Sequence, residues 1–289
     1  QVDADVIAKN DTLPMIEVKL DLVSVKHDGV RQEEVQFIPA LQTASGKGIR
    51  DLVNNWIGSF FNVSTQFKRL DNEGNYLREM HGDYSVMMLM SVINETLESN
   101  EAACLAVKAQ YDEHSYLWLT KMDQFFEEFK AANIITLESG LETLDLAKYE
   151  EALVKYEGIR ESIQQFQSPV DMGWLRINTQ PIKSELIKWA SRWIDMFMNH
   201  LQDTLTTKLT DLHTFIGVAT KGLDVEVPEG PEGQDALKKV MENIRDVRLS
   251  ADKTKDMFEP LQKILTMLKG HGFDITGLPK VGDDALPMQ

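Results

Sequence analysis

Cysteine is almost missing from this 289-residue chain, which has only Cys104. A lone thiol excludes an internal disulfide framework and a cysteine-based zinc site, and it agrees with a reducing compartment. The expected place for it is a small buried position on a helix. Long apolar runs are missing too: none approaches the roughly eighteen residues that a membrane-crossing helix needs, and no basic-then-apolar leader opens the chain. The resulting expectation is a soluble, intracellular protein that meets no membrane. Positive charge is in short supply. Thirty Lys and Arg stand against 46 Asp and Glu, a formal net charge of −16. That balance argues against nucleic-acid binding, because no surplus cations remain to displace counterions from phosphates.

Motifs that carry chemistry are equally scarce. Ser45-Gly46-Lys47-Gly48 invites comparison with a phosphate-binding loop, but Leu41 occupies the place of its first glycine and Gly48 that of the magnesium-holding Ser or Thr. The six histidines show no His-Glu-x-x-His spacing, and His200 and His213 would lie roughly 20 Å apart along one helix, too far to share a metal. Adjacent acids such as Glu127 and Glu128, or Asp283 and Asp284, point in different directions on a helix and make poor acid–base pairs. No Gly-x-Ser-x-Gly elbow is present. Catalytic, cofactor-binding and metal-binding residues are therefore all read as none, and the chain as a non-enzyme.

What the chain does have is apolar periodicity. Hydrophobic residues make up 43% of it, enough for a sizeable core. Residues 171–222 dominate: Ile182, Leu186, Trp189, Trp193, Phe197, Leu201, Leu205, Leu209, Leu212 and Ile216 recur at helical spacing. Pro181 follows Asn178 and Thr179, either of which can cap a helix start, and Gly222 supplies a stop. At 1.5 Å per residue this strut would be roughly 60 Å long, so other helices must line it.

Earlier in the chain, Met15, Ile16, Val18, Leu20 and Leu22 alternate with polar residues before His27-Asp28-Gly29. Val35, Phe37 and Leu41 follow, which predicts a β-hairpin ended by Pro39. Its strand edges are candidate contacts for another chain. Helices are predicted over 45–70, with Ile49, Leu52, Trp56, Phe60, Val63, Phe67 and Leu70 on one face, then over 83–110 and 111–132, or equally as one continuous helix across both, and over 145–167, with a loop around 135–144. Residues 227–233 read as a loop and 235–269 as a last helix kinked at Pro260.

The fold class is mainly α, elongated consecutive helical bundles with a small β-hairpin near the N-terminus. The expected domains are a hairpin and lead-in over 1–42, a helical bundle over 43–168, a long-helix bundle segment over 169–272 and an exit linker over 273–289. Gln1 in place of Met, before a polar opening, suggests a segment of a longer polypeptide. The residues assigned to the structural core are Trp56, Trp118, Trp174, Trp189, Trp193, Phe197 and Phe258.

Specific strings add to this reading. They are, in order, Val35-Gln36-Phe37-Ile38-Pro39-Ala40-Leu41, Ile49-Arg50-Asp51-Leu52-Val53, Tyr116-Leu117-Trp118, the run from Gly173-Trp174-Leu175-Arg176 to Pro181-Ile182-Lys183, Leu209-Thr210-Asp211-Leu212 to Phe215, and Met257-Phe258-Glu259-Pro260-Leu261. In that order they resemble the N-terminal tail of dynein heavy chains, particularly axonemal outer-arm ones, over about residues 35–269. The resemblance implies a non-catalytic tail segment just upstream of the linker to the motor. ATP and magnesium would belong to a downstream AAA+ ring and microtubule binding to a stalk, so no cofactor is expected here. The implied partners are other heavy chains and intermediate and light chains, with docking to doublet microtubules through the whole complex. The implied location is the cytoplasm and cytoskeleton, in the axoneme of a cilium or flagellum. An unrelated α-helical cytoskeletal scaffold or adaptor is the alternative.

Overall fold

A computed structural model describes residues 14–27, 29–42, 47–71, 73–136, 142–223 and 231–272. Strands β1 (Ile16–His27) and β2 (Val30–Ile38) form the hairpin. After them come α1 (Ile49–Val63), a 3-10 turn at Ser64–Gln66, α2 (Leu77–Gly82), α3 (Tyr84–Asp112), α4 (Tyr116–Leu119) and α5 (Met122–Ala132). The short strands β3 (Ile134–Thr136) and β4 (Glu142–Leu144) precede α6 (Leu146–Gln165). Strands β5 (Val170–Met172) and β6 (Leu175–Asn178) lead into the two longest helices, α7 (Gln180–Leu223) and α8 (Pro231–Gly270). The chain is mainly α with a small sheet near its N-terminus. Its residues group into two compact units, 1–120 with 160–190, and 121–159 with 191–289.

In the first unit, residues 170–178, expected to run into the strut, instead make a second hairpin. The sheet order is β2-β1-β6-β5, with β6 parallel to β1 from Ile16 opposite Leu175 to Lys19 opposite Asn178. The signal was short: only Leu175 and Ile177 alternate with Arg176 and Asn178, too few residues to register as a strand period. This pairing gives the marginal two-stranded ribbon the further strands it needs. Val18, Leu20, Val35, Phe37, Leu175 and Ile177 fill one buried face. The β1 edge that looked open to another chain is thus taken by β6. On β2, the outer edge strand, the Glu33 carbonyl accepts a hydrogen bond from the Trp118 indole at 2.9 Å.

At the start of α7 one of the two cap candidates accepts from the helix and the other ties it to the preceding loop. The Asn178 carboxamide oxygen accepts from the Gln180 amide at 3.1 Å, while the buried Thr179 donates its hydroxyl to the Gln167 carbonyl at 3.1 Å. Pro181 follows inside the first turn, where its missing N–H has no helical partner to lose. At 44 residues, α7 is about 65 Å long.

Several predicted boundaries move. The helix expected over 111–132 breaks into α4 and α5, because Thr120 and Lys121 are extended. The loop expected at 135–144 holds the paired strands β3 and β4. Helix α8 starts at Pro231, a favoured first-turn residue, four positions before the expected start. Asp28 of the hairpin turn, Ser45 and Gly46, residues 227–230 and the expected linker 273–289 lie outside the described residues.

The second unit packs around an aromatic cluster on α7. Trp193 stacks on Tyr156 with ring centroids 5.1 Å apart and meets Phe125 edge-on at 5.3 Å. Phe197 meets Phe126, Phe129 and Tyr149 edge-on at 5.1–6.0 Å. Such edge-to-face pairs add to the burial of each ring.

His200 closes this cluster. It stacks on Tyr149, with Nδ1 3.2 Å from the phenol oxygen, and lies edge-on to Phe126. Burial pushes its pKa below the usual value of 6.5, with Lys130 acting in the same direction and Asp203 and Glu127 opposing. In the first unit, burial likewise lowers His114. In the unfolded chain both imidazoles take up a proton at about 6.5, before their folded counterparts do. Their contribution is therefore complete above that pH and is lost as pH falls through the folded pKa. Thermal melts of the chain are expected to show a falling midpoint from about pH 7 to pH 5, with a shallower slope in His200→Asn.

Candidate interaction groove

An open apolar groove in the first unit is built from four pieces of chain. Helix α1 supplies Val53, Trp56, Ile57 and Phe60, and α3 supplies Val86, Leu89, Met90 and Ile93. Met15 and Ile16, at the start of β1, and Trp174, in the β5–β6 turn, complete a groove of about 430 Å³.

Local sequence places each wall. The Asp51 carboxylate accepts from the Gly48 amide at 2.8 Å and fixes the start of α1. A side chain at Gly48 would come within 3.0 Å of the backbone at Gln42 and Leu41. Asp83 caps α3 by accepting from the Val86 amide at 3.0 Å. The Trp174 carbonyl accepts from the amides of both Met15 and Ile16, at 2.8 and 3.1 Å, and ties the turn to β1. Gly173 has φ +61° in that turn, and a Cβ there would come within 2.7 Å of the Asn100 side-chain oxygen on α3.

One polar clamp holds α1 against α3. Arg50 donates from Nε and Nη2 to the two oxygens of Glu101, at 3.2 and 2.8 Å, and Gln42 donates to the same carboxylate at 3.1 Å. Glu101 is buried and Arg50 is partly exposed. Farther along α3, Cys104 is fully buried, and burial pushes its thiol up to about 11. It therefore carries almost no thiolate at neutral pH.

The groove walls carry no carboxylate, imidazole, thiol or amine. A small-molecule site normally sets a few polar groups among its apolar ones to orient the ligand. This groove can bury apolar side chains and does not position a proton donor or acceptor. Among the described residues, no group of three or more His, Cys, Asp or Glu side chains converges as a metal site would need.

The residues assigned to the core fall into three groups. Trp193 and Phe197 are buried. Trp118, Trp174, Trp189 and Phe258 are half-buried. Trp56 is corrected: it remains 47% exposed, with Phe60 at 53% and Leu70 at 97%. Of the face read as buried only Ile49 is covered; the other buried residue of α1, Val53, lies off that stripe. Sequence periodicity reports that a face is apolar, not what covers it. Reasoning from the sequence missed the groove, although a signal was present. About a quarter of the chain is charged, yet residues 52–67 and 84–94 carry no charge at all. Those two runs form its α1 and α3 walls.

Fold and groove together define a class: a mainly helical chain with an open, uncharged apolar groove. No protein-family model matches it. Among individual proteins it is 30% identical, over 96% of its length, to the "Dynein beta chain, flagellar outer arm" of Chlamydomonas reinhardtii. It is 26% identical over 90% of its length to human "Dynein axonemal heavy chain 17", and 26% identical over 83% to pig "Dynein axonemal heavy chain 11". Its homologues are axonemal dynein heavy chains, and they point to the cytoskeleton and the axoneme of cilia and flagella as its location. The chain spans about 6% of the length of these relatives. The match sets aside the alternative of an unrelated scaffold.

Proposed function

We propose that the chain is a non-catalytic structural segment of the tail of an axonemal dynein heavy chain, just upstream of the linker. It positions the motor and contacts neighbouring heavy, intermediate or light chains. The observation that carries this reading is the groove between α1 and α3, whose walls combine exposed tryptophan, phenylalanine and methionine with a complete lack of charge. Depletion of charge with enrichment in aromatic residues and Met marks the centre of protein interfaces. By the same reading, nucleotide turnover with ATP and magnesium belongs to the motor ring of the parent chain, and doublet-microtubule docking to the whole complex. The reading includes neither a membrane nor a nucleic acid among the partners; among the described residues no helix is long and apolar enough to cross a bilayer, and a net charge of −16 disfavours phosphate contacts.

Lysine-directed cross-linking of intact dynein arms, mapped by mass spectrometry, tests the assignment. Links from this segment to other tail subunits are expected. Links confined to its own heavy chain, or ATP turnover by the purified segment, would overturn it.

A further inference from the structure

The first half of α8 presents a second apolar surface, with a pattern different from that of the groove. Val240, Asn243 and Val247 share one partly buried face, and the Asn243 side chain donates to the Gly222 carbonyl at the end of α7 at 2.7 Å. The adjoining face is turned to solvent. Leu237 is 50% exposed and Met241 64%, with Ile244 and Arg248 following at three- and four-residue spacing. Alternation of four, three and four residues is the seam of a two-helix coiled coil, about 17 Å long at 1.5 Å per residue. On α7, Val218 and Phe215 precede Gly222 by four and seven residues and are also exposed. Both belong to the helix whose Gly222 carbonyl accepts from Asn243.

The charges beside this seam run against those of the chain. Between residues 237 and 248 there are four basic residues, Lys238, Lys239, Arg245 and Arg248, and two acidic ones, in a protein of net charge −16. Lys238 and Arg245, both exposed, follow the seam residues Leu237 and Ile244 by one position. That is the flanking position from which coiled coils select partners by charge.

We infer that this face of α8 receives an amphipathic helix of another subunit, with an apolar seam bordered by Asp and Glu. The inference rests on the assembly role above and specifies the partner's chemistry. A second copy of this chain fits poorly. Antiparallel pairing would set the Lys238 and Arg245 flanks against each other, and parallel pairing would set Arg248 against Arg248. Like charges across such a seam select against the pair.

A photo-crosslinking residue placed at Leu237 in the full-length heavy chain of assembled arms tests this directly. The expected adduct lies on a helix of a different subunit whose crosslinked face is flanked by acidic residues. Its yield should fall at least about fivefold in Lys238→Glu/Arg245→Glu and survive in Lys238→Arg/Arg245→Lys. Because all these positions are exposed, the changes leave the packing of α8 on α7 in place. An adduct within the same heavy chain, including residues 224–230 or 273–289, overturns the inference. So does an adduct to a second copy, no adduct, or a yield indifferent to charge reversal. A crosslinker at the exposed Val154 of α6 and the lysine-directed links separate the two failures. If those reach other subunits while Leu237 does not, the partner helix is wrong and the assembly role stands. If no position reaches another subunit, both fall.

Discussion

Trp193→Ala is expected to destabilise the second unit by about 3–5 kcal/mol, the range for deleting a buried large aromatic side chain. Trp193 is 1% exposed and sits between the Tyr156 ring, stacked at 5.1 Å, and the edge-on Phe125 ring at 5.3 Å. Removing the indole opens a cavity that two rigid rings cannot collapse into, and it forfeits their mutual contacts as well. Urea unfolding followed by tyrosine fluorescence and far-ultraviolet circular dichroism measures the loss. Trp189→Ala is the internal comparison. Trp189 lies four residues earlier on α7 and is only half-buried, so its removal should cost less than half as much. Equal costs would mean that burial does not rank these two residues.

Arg50→Ala is the second large effect, about 2–3 kcal/mol. Glu101 is buried and takes both donors of the Arg50 fork as well as one from Gln42. Deleting the guanidinium leaves a buried carboxylate with one neutral donor, the situation in which breaking an ion pair is most costly. The figure falls below that of a fully buried pair because Arg50 is 32% exposed, so water already screens part of the attraction. Arg50→Lys should recover only part of the loss, since one ammonium cannot reproduce two parallel hydrogen bonds. Arg50→Ala/Glu101→Leu should recover more, because no charge is left stranded. Denaturant midpoints of the three variants decide the order.

These two sites differ in how far the sequence revealed them. Trp193 and Phe197 belong to an unbroken helical stripe, and a stripe that repeats over ten turns needs no tertiary information to be recognised. The Arg50–Glu101 clamp joins residues 51 positions apart, and nothing in either local pattern marks them as partners. The strand at β6 shows the same limit. Four residues carry too little period to declare a strand, and its parallel pairing with β1 joins segments about 160 residues apart. From sequence His200 reads only as a metal-ligand candidate, because its ring partners arrive from α5 and α6. The groove stands between these cases. Its uncharged walls are visible as two charge-free runs, but that they face each other, and that Trp56 stays half-exposed, follows only from packing.

The sequence by itself determined the mainly helical class, the long strut with its capping start, the N-terminal hairpin and, through the ordered strings, the dynein heavy-chain resemblance. All of these rest on local periodicity, turn chemistry or linear order, which are properties of the chain read in one dimension. Only the tertiary structure decided that residues 170–178 complete a four-stranded sheet, that α1 and α3 are clamped by a buried carboxylate, and that one face of α1 and one of α8 remain open. The physical reason is that burial belongs to pairs of surfaces. An apolar stripe specifies that something must cover it, and only the packed chain shows which stripes its own residues have covered.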